Sequence, residues 1–397
     1  MAEARDLLGR LPTAGPTRGA NRRKVLLAVA IKSGTQADIA HRTLLSQATV
    51  SAAVRELAMA GLVPNAKERG KVGLSRVNDV GVGVHLGFNH TTVVARRLDA
   101  DFEQVTSRVG SGGLSRGWRR ALPEVKQMID EAIAGTGQQR SDLFSLGIAV
   151  PRMISPRTGD FTPPILPPWR PGDDPAGDLG SWLGVRAIMD NDANLGALAE
   201  RTYGTQEHAE TVVYVKASTG IGAGIIVHNN MLRGHRGMAG EIGHVTVDPE
   251  GAVCQCGGRG CLETLIGADA LIAQVRAVPA MSGMATPDTL EQVIAAANAR
   301  DAVCMRVIHD AGRRLGQSLA QLCNLINPDL VAIGGQLAQC QLLLEGCAES
   351  LRRFALPGAV DESFGFTLAP SELGTLAEAQ GALILGLRQQ ETAPSGT

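Results

Sequence analysis

The chain has 397 residues, of which 44% are hydrophobic and 19% are charged, and its mean hydropathy is +0.04. This length and composition predict a soluble globular protein of two or three domains. No apolar run approaches the roughly 20 residues of a membrane-spanning helix, so we expect no membrane span.

The charges are distributed unevenly along the chain. Residues 1–80 contain 13 Lys and Arg against 6 Asp and Glu, whereas the remainder contains 25 against 33. A basic segment followed by an acidic body predicts a nucleic-acid-binding module joined to a domain of another kind. The seven cysteines are an odd number and no export or lipidation signal is visible. We therefore expect reduced thiols and a cytoplasmic protein.

The basic segment is predicted to contain three helices. Asn21–Lys32 carries apolar residues at helical spacing, and Thr35–His41 forms a short second helix. Ser46 is a favourable N-cap for a third helix, Gln47–Ala60, which Gly61 ends. A short helix, a tight turn and a longer helix with a polar N-terminal face are typical of a helix-turn-helix. The second helix of that motif enters the major groove of DNA.

A basic, Gly-containing stretch follows the third helix and is predicted to form a β-hairpin wing against the phosphate backbone. The predicted DNA-binding residues are Gln47, Thr49, Ser51 and Arg55 on the outward face of the third helix, and Lys67, Arg69 and Lys71 in the wing. A small three-helix bundle that does not bind DNA would show the same helical pattern. The charge asymmetry favours the DNA-binding interpretation over that alternative.

From residue 82 onward, apolar β-like runs alternate with helical stretches. The predicted strands are Val82–Leu86, Thr92–Arg96, Leu146–Val150, Ala187–Met189, Thr211–Val215, Gly224–Val227 and Leu330–Ile333. Strands interleaved with helices in this way describe an α/β fold.

A cluster of metal-binding residue types stands out in the second half of the chain: His244, Cys254, Cys256 and Cys261. One imidazole and three thiols are a typical tetrahedral set for Zn²⁺. The three glycines between Cys256 and Cys261 let the backbone turn tightly enough to bring all four to one ion. We predict one structural Zn²⁺ per chain, because four protein ligands leave no position for an activated water.

The alternative for this cluster is three reduced cysteines beside an unrelated histidine. A disulfide framework is disfavoured by the odd cysteine count. The other cysteines are predicted to be small buried hydrophobes in helical segments: Cys304, Cys323, Cys340 and Cys347.

Glu241-Ile242-Gly243-His244, followed by Cys-x-Cys-Gly-x-x-Gly-Cys-Leu-Glu, resembles the signature of the ROK family of bacterial sugar kinases and sugar-responsive repressors. The resemblance extends across nearly the whole chain. It implies an N-terminal winged helix-turn-helix followed by a two-lobed, actin-like fold of the sugar kinase type, with the ligand between the lobes. The predicted domains are 1–78 for the winged helix-turn-helix, 79–195 plus 375–397 for the first lobe, and 196–374 for the second lobe with the zinc site.

The resemblance also implies a sugar-binding set: Asn191, Asp192, Glu241, His244 and Glu263. In the kinases, the aspartate matching Asp192 takes the proton from the attacking sugar hydroxyl, and the asparagine matching Asn191 holds neighbouring hydroxyls. The family histidine matching His244 binds zinc through one ring nitrogen and the sugar through the other. Independently of the resemblance, Asp190–Asn194 follows a predicted strand. Polar groups at the C-terminal end of a strand are well placed to contact a ligand. An Asx-rich turn that caps the next helix is the alternative.

The phosphate-binding loops decide whether kinase activity is expected. Ser218–Gly224 and Ile333–Gly335 resemble glycine-rich loops of the family, although glycines also serve tight turns and close packing. The kinases carry Asp-x-Gly-x-Thr on the first hairpin of the body. Here His85 replaces the aspartate that organises Mg²⁺, and Phe88 and Asn89 replace small residues. We therefore expect a kinase fold without ATP chemistry, and Asp192 as a vestigial base.

One further departure concerns the ligand. Family members usually have glycine where this chain has Arg152, after Val150-Pro151. An arginine here can narrow the pocket or reach an anionic group such as a sugar phosphate, and it can equally face solvent. The proline-rich segment Thr162–Pro171 is predicted to form a lid or an edge loop.

Together these features predict a transcriptional regulator, with repression as the sign that the resemblance implies. A homodimer or homotetramer would bind a two-fold double-stranded DNA operator under the control of a sugar or sugar-phosphate effector. Two alternatives stay open: an active ATP-dependent sugar kinase with an appended DNA-binding head, and a regulator controlled by a protein partner. A zinc-dependent hydrolase is disfavoured by the closed metal shell.

Overall fold

The computed structural model describes residues 7–12, 15–64, 70–163, 168–206, 209–278 and 286–391. The chain divides into two compact units. The first unit consists of Met1–Pro151, Pro163–Asp190 and Ala379–Thr397, and the second unit consists of Arg152–Thr162 and Asn191–Glu378. The three-domain division expected from the sequence stays a prediction.

The first unit opens with three helices, α1 (Pro16–Ile31), α2 (Gln36–Thr43) and α3 (Gln47–Met59). The prediction of three helices is confirmed, and the start of α3 is correct. Helix α1 begins at Pro16, earlier than predicted, because proline is tolerated in the first turn of a helix, where no intrahelical N–H donor is needed.

Local capping explains where α2 and α3 begin. The Thr35 hydroxyl accepts a hydrogen bond from the Asp38 backbone N–H at 3.2 Å, and the Asp38 carboxylate accepts one from the Thr35 N–H at 2.8 Å. The Ser46 hydroxyl accepts from the Thr49 N–H at 3.1 Å, as its predicted role as N-cap requires. Both starts are therefore specified within a few residues of sequence.

A five-stranded sheet with the order β3-β2-β1-β4-β5 forms the body of the first unit. Its strands are β1 (Val80–Leu86), β2 (His90–Arg97), β3 (Thr106–Ser111), β4 (Leu143–Val150) and β5 (Ala187–Asn191). Strand β1 runs antiparallel to β2 and parallel to β4. The helices of this part of the chain are α4 (Trp118–Gly135), α5 (Pro175–Leu183) and the last helix, Ala377–Gln389.

The three N-terminal helices are attached to this sheet by a buried arginine. Arg96 of β2 is 2% exposed, and its guanidinium donates to the carbonyl oxygens of Ala30 and Ile31 at 2.7 and 3.1 Å. These carbonyls lie at the C-terminal end of α1, where intrahelical donors are lacking. Charge-assisted hydrogen bonds of this kind are among the stronger ones in proteins. The N-terminal helices are therefore packed into the first unit.

A second five-stranded sheet, ordered β10-β9-β6-β7-β8, forms the centre of the second unit. Its strands are β6 (Thr211–Ala217), β7 (Ile221–Val227), β8 (Asn230–Met231), β9 (Leu330–Gly334) and β10 (Thr367–Pro370). The helices are α6 (Asp192–Tyr203), α7 (Glu263–Ile266), α8 (Ala268–Arg276), α9 (Leu290–Asn298), α10 (Ala302–Ile326) and α11 (Gln341–Phe354), and the helix Ala377–Gln389 is α12.

Side chains alternate between the two faces of β6. Val213 and Val215 belong to the large apolar core that contains residues of α8 to α11, whereas Tyr214 packs on the other face with Ala197 of α6. Period-two alternation of this kind is what a strand buried on both faces requires. Residues at even positions of β6 therefore face α6 and the site described below.

All seven predicted strands are present, and three further strands were missed. Strand β3 lies at the edge of its sheet and contains polar residues and glycine, and β8 has only two residues. Strand β10 is also an edge strand and ends in Pro370. Edge strands lack the apolar pattern that identifies buried ones, and proline is tolerated there.

The prediction for the four remaining cysteines is confirmed. They are each at most 1% exposed, in or next to α10 and α11: Cys304, Cys323, Cys340 and Cys347. Among the residues that the structure describes, no helix combines the length and the apolar character that a membrane crossing requires.

Candidate functional site

The four predicted metal ligands converge in the second unit. One donor atom from each of His244, Cys254, Cys256 and Cys261 lies within 4.8 Å of the others. His244 Nδ1 is 3.6 Å from the Cys254 sulfur, and the Cys256 and Cys261 sulfurs are 3.7 Å apart. Bonds of about 2.0 to 2.3 Å around tetrahedral Zn²⁺ place its ligands at similar separations. The cluster is therefore able to hold a metal ion, and its donor chemistry fits zinc.

The backbone of this loop turns as tightly as predicted. Gly260 adopts a φ of +62°, and a Cβ at this position would lie 1.4 Å from the Asp248 carbonyl oxygen. The Gly260 carbonyl accepts a hydrogen bond from the Val247 N–H at 2.8 Å. Burial raises the pKa of the Cys261 thiol to about 12, so a thiolate at this position requires a cation beside it.

The other ring nitrogen of His244 faces a carboxylate. Nε2 lies 3.9 Å from Glu241 Oε2, while Nδ1 faces Cys254. Burial, together with the charges of Asp192 and Glu263, raises the pKa of Glu241 to about 7. His244 thus stands between the thiol cluster and a group of acidic residues.

Glu263 connects two loops through its carboxylate. One oxygen accepts a hydrogen bond from the Ile221 backbone N–H at 3.0 Å, beside the glycine-rich turn between β6 and β7. The other accepts from the Gln255 side-chain amide at 3.1 Å, in the cysteine loop. Glu263 therefore positions the cysteine loop relative to the glycine-rich turn, in addition to its predicted sugar contact.

Asn191 is the N-cap of α6. Its side-chain oxygen accepts from the backbone N–H groups of Ala193 and Asn194 at 2.9 and 3.2 Å, and its amide donates to the Arg152 carbonyl at 3.3 Å. Asn191 therefore caps a helix that begins at Asp192. A sugar contact by Asn191 stays a prediction.

Asp192 forms an ion pair that the sequence did not indicate. Its carboxylate contacts the ammonium group of Lys216 on β6, and their side chains are 6% and 13% exposed. Burial alone would lower the pKa of Lys216, but the charges of Asp192 and Glu378 raise it above its ordinary value. The Tyr214 hydroxyl donates to Glu378 at 2.9 Å on the same face of β6. The sequence signal for this ion pair was a single lysine in an otherwise apolar segment.

Arg152 belongs to the same group of charges. The residue is half-buried, and burial lowers the pKa of its guanidinium while the carboxylates of Glu241, Glu263 and Asp192 oppose that shift. This environment favours the interpretation that Arg152 faces the site over the solvent-facing one. The acidic group and its two cations, Arg152 and Lys216, all lie in the second unit.

Close packing requires the glycine at position 334, in one of the two segments that resemble glycine-rich loops of the family. A Cβ at Gly334 would lie 2.0 Å from the Tyr214 hydroxyl oxygen. In the first unit, His85 of β1 is 1% exposed, and Phe88, in the turn after it, is 40% exposed.

Three residues of the predicted DNA-binding set, Gln47, Ser51 and Arg55, share one face of α3, and Thr49 lies on another part of the helix surface. Gln47 and Arg55 are exposed, and Thr49 and Ser51 are half-exposed. The Arg55 guanidinium donates to the Ser51 hydroxyl at 2.9 Å. The final members of the set stand after α3: Lys71 is exposed, and Lys67 and Arg69 lie outside the described residues.

The sequence model of the ROK family matches residues 82–389. The chain belongs to this family. It is 34% identical over 249 residues to the glucokinase of Halalkalibacterium halodurans, a match that covers 60% of this chain and 75% of the relative. It is 28% identical over 309 residues to the xylose repressor of Caldicellulosiruptor bescii, covering 74% of this chain and 76% of the relative. This ROK protein thus resembles both kinases and repressors.

A solved structure extends the comparison toward the N-terminal helices. It is a ROK family transcriptional regulator, described as a homologue of the Escherichia coli Mlc protein, with a TM-score of 0.71 at 24% identity. The match covers 94% of this chain and 96% of that chain. At this identity it establishes a shared fold. The expected α/β class is confirmed, with the two-sheet architecture of ROK structures.

Proposed function

We propose that this ROK protein is a DNA-binding transcriptional regulator, acting as a repressor, whose operator affinity is controlled by a sugar or sugar phosphate. The observation that carries the proposal is the attachment of three helices, one with an exposed polar face, to a sugar-kinase-like body. Two similar proteins support the proposal, because both are named as regulators and both match most of this chain. They are the xylose repressor, which matches 74% of it, and the solved ROK regulator, which matches 94%.

The N-terminal helices act as a winged helix-turn-helix. Helix α3 enters the major groove, and its exposed side chains face base edges and phosphates. Lys67, Arg69 and Lys71 of the wing contact the phosphate backbone. Two copies in a homodimer or homotetramer read the two halves of a palindromic operator, because a two-fold protein matches a two-fold site.

The acidic group in the second unit binds the effector. Carboxylates accept hydrogen bonds from sugar hydroxyls, and Asp192, Glu241 and Glu263 are grouped around Arg152. The proposed contacts are those of the predicted set: Asn191, Asp192, Glu241, His244 and Glu263. A ligand that binds better to one conformation of the protein shifts the population toward it, and the DNA affinity changes by the same coupling.

Zinc is a structural part of this site. His244, Cys254, Cys256 and Cys261 would hold it, and an ion there would cross-link the cysteine loop and fix the orientation of the His244 ring. Nε2 of that ring then remains directed toward Glu241 and the effector.

The site is proposed to bind sugar without phosphorylating it. A general base must be able to take a proton, and the Asp192 carboxylate is ion-paired with Lys216 inside the protein. His85 also stands where the kinases carry the aspartate that organises Mg²⁺, and imidazole is a poor ligand for that ion. The 34% identity to a glucokinase favours the second candidate function, a sugar kinase with a DNA-binding head.

Ligand binding and its effect on DNA affinity test the proposal, and two further assays test the alternatives. A thermal-shift screen of sugars and sugar phosphates should identify a ligand that raises the melting temperature, because it binds only the folded protein. That ligand should change the affinity for a duplex selected by the protein from random sequences. Phosphorylation of hexoses or N-acetylhexosamines with Mg-ATP at ordinary kinase rates would instead establish the second candidate. Release from the duplex by a partner protein, with no effect of any sugar, would favour a protein-controlled regulator.

A further inference from the structure

Leu44 combines two unfavourable properties in the turn between α2 and α3. Its φ and ψ angles are 56° and 28°, in the left-handed region. Its side chain is 68% exposed. Helices commonly end in this conformation, but glycine or asparagine usually occupies the position, because other side chains are strained there. Neither the backbone conformation of Leu44 nor burial of its side chain therefore stabilises the fold.

Leucine is unusual at such a position in this protein. The other non-glycine residues with positive φ among those that the structure describes are His228, Asn229, Arg300 and Asn327. They are polar, and Leu44 is the aliphatic member of the group. Residues held in strained backbone conformations cluster at functional positions such as active sites and ligand-binding segments.

The surroundings of Leu44 indicate the partner. It stands two residues before the N-cap of α3, and the exposed residues Gln47 and Arg55 belong to the helix that follows. The first 80 residues also carry the excess of basic residues, which matches the charge of DNA. We propose that Leu44 makes an apolar contact with duplex DNA beside the N-terminus of α3. This inference rests on the proposed DNA-binding function.

Two groups of a duplex offer the apolar surface that Leu44 requires. The methyl group of thymine projects into the major groove, and the deoxyribose carbons line its edge. Leu44 thus adds an apolar contact to a face whose other proposed contacts are polar. Its role is to position α3 and, where the contacted group is thymine, to add sequence preference.

The test separates the strain from the contact. Leu44→Gly removes the side chain and relieves the strained backbone, so its melting temperature should equal the wild-type value or exceed it by about 1 to 2 °C. Its dissociation constant for a 40-base-pair duplex, enriched from a random pool by the wild-type protein, should rise about 5- to 10-fold. Leu325→Ala is the matched control, because Leu325 is an 81% exposed leucine on α10. This control should bind the duplex as the wild type does.

A second duplex, with deoxyuridine in place of thymidine, distinguishes the two apolar groups. If Leu44 contacts a thymine methyl, this substitution weakens the wild type about as much as Leu44→Gly does and leaves that variant unaffected. If it contacts deoxyribose, the loss caused by Leu44→Gly is the same on both duplexes. Equal affinity of Leu44→Gly and wild type overturns the inference, as does a fall in melting temperature of more than about 5 °C, which would show a packing role. If the wild type enriches no duplex, the proposed function fails as well.

Discussion

The N-terminal helices and the second unit both bury charged groups, but they compensate them differently. Between α1 and α3, Glu56 receives a hydrogen bond from Arg22 at 2.9 Å and a second ion pair from Arg18. The Arg18 hydrogen bond lowers the pKa of Glu56. In the N-terminal helices, therefore, two cations pair with one carboxylate.

In the second unit the ratio of cations to carboxylates is reversed. Lys216 lies beside two buried carboxylates, Asp192 and Glu378, and burial raises the pKa of Glu378. Glu241 is shifted in the same direction, to about 7. The N-terminal helices thus pair one carboxylate with two cations, whereas in the second unit Lys216 lies beside two carboxylates.

The largest expected effect concerns metal in the second unit. We predict about one Zn²⁺ per chain, and Cys256→Ser should lose the ion together with at least about 10 °C of melting temperature, because structural metal binding contributes directly to folding. Metal analysis and calorimetry measure both quantities. Cys347→Ala is the control: it removes a buried thiol of α11 and should leave the zinc content unchanged. Stoichiometric zinc in Cys256→Ser would remove Cys256 from the ligand set.

The next effect tests the ion pair between Lys216 and Asp192 in the second unit. Lys216→Met should reduce the free energy of unfolding by about 3 to 5 kcal/mol, because it leaves buried carboxylates without their ammonium partner. Adding Asp192→Asn should recover a large part of that loss, which urea unfolding of the single and double variants would measure. Equal stability of Lys216→Met and wild type would show that the pair is not formed in solution.

The matching variant in the N-terminal helices should be milder. Arg22→Met leaves Glu56 paired with Arg18, so the loss should be about 1 to 2 kcal/mol, smaller than that of Lys216→Met. The same unfolding experiment checks the order of the two variants. A larger loss for Arg22→Met would contradict the stated difference between the two regions.

The smallest effect is a pH dependence in acid. The pKa of Glu56 is lower in the folded protein than its ordinary value of 4.5. Its contribution is therefore complete above the unfolded pKa and is lost as the pH falls through the folded pKa. The stability difference between wild type and Glu56→Gln should be constant near neutral pH and shrink in acid. Unfolding curves between about pH 3 and 7 would measure it. A constant difference across this range would show that Glu56 does not titrate as described.

Local sequence was sufficient for the elements whose ends are specified nearby. Ser46 caps α3 through its own neighbour Thr49, and the apolar runs of the central strands required no partner to be recognised. Strands β3 and β10 were missed because an edge strand is defined by the strand it pairs with. The pairs Thr91–Gly110 and Leu368–Val331 are not visible in the composition of either segment.

The sequence by itself determined the ROK family, the α/β class and the four residues that could hold zinc, because these depend on residue types at short and regular spacings. Only the tertiary structure decided which charges meet. Lys216 reaches Asp192 because β6 and α6 pack together, and Arg96 reaches the end of α1 because β2 lies beside it. The strained, exposed Leu44 likewise became visible only in three dimensions. Such contacts join residues far apart in the chain, and no local pattern encodes them.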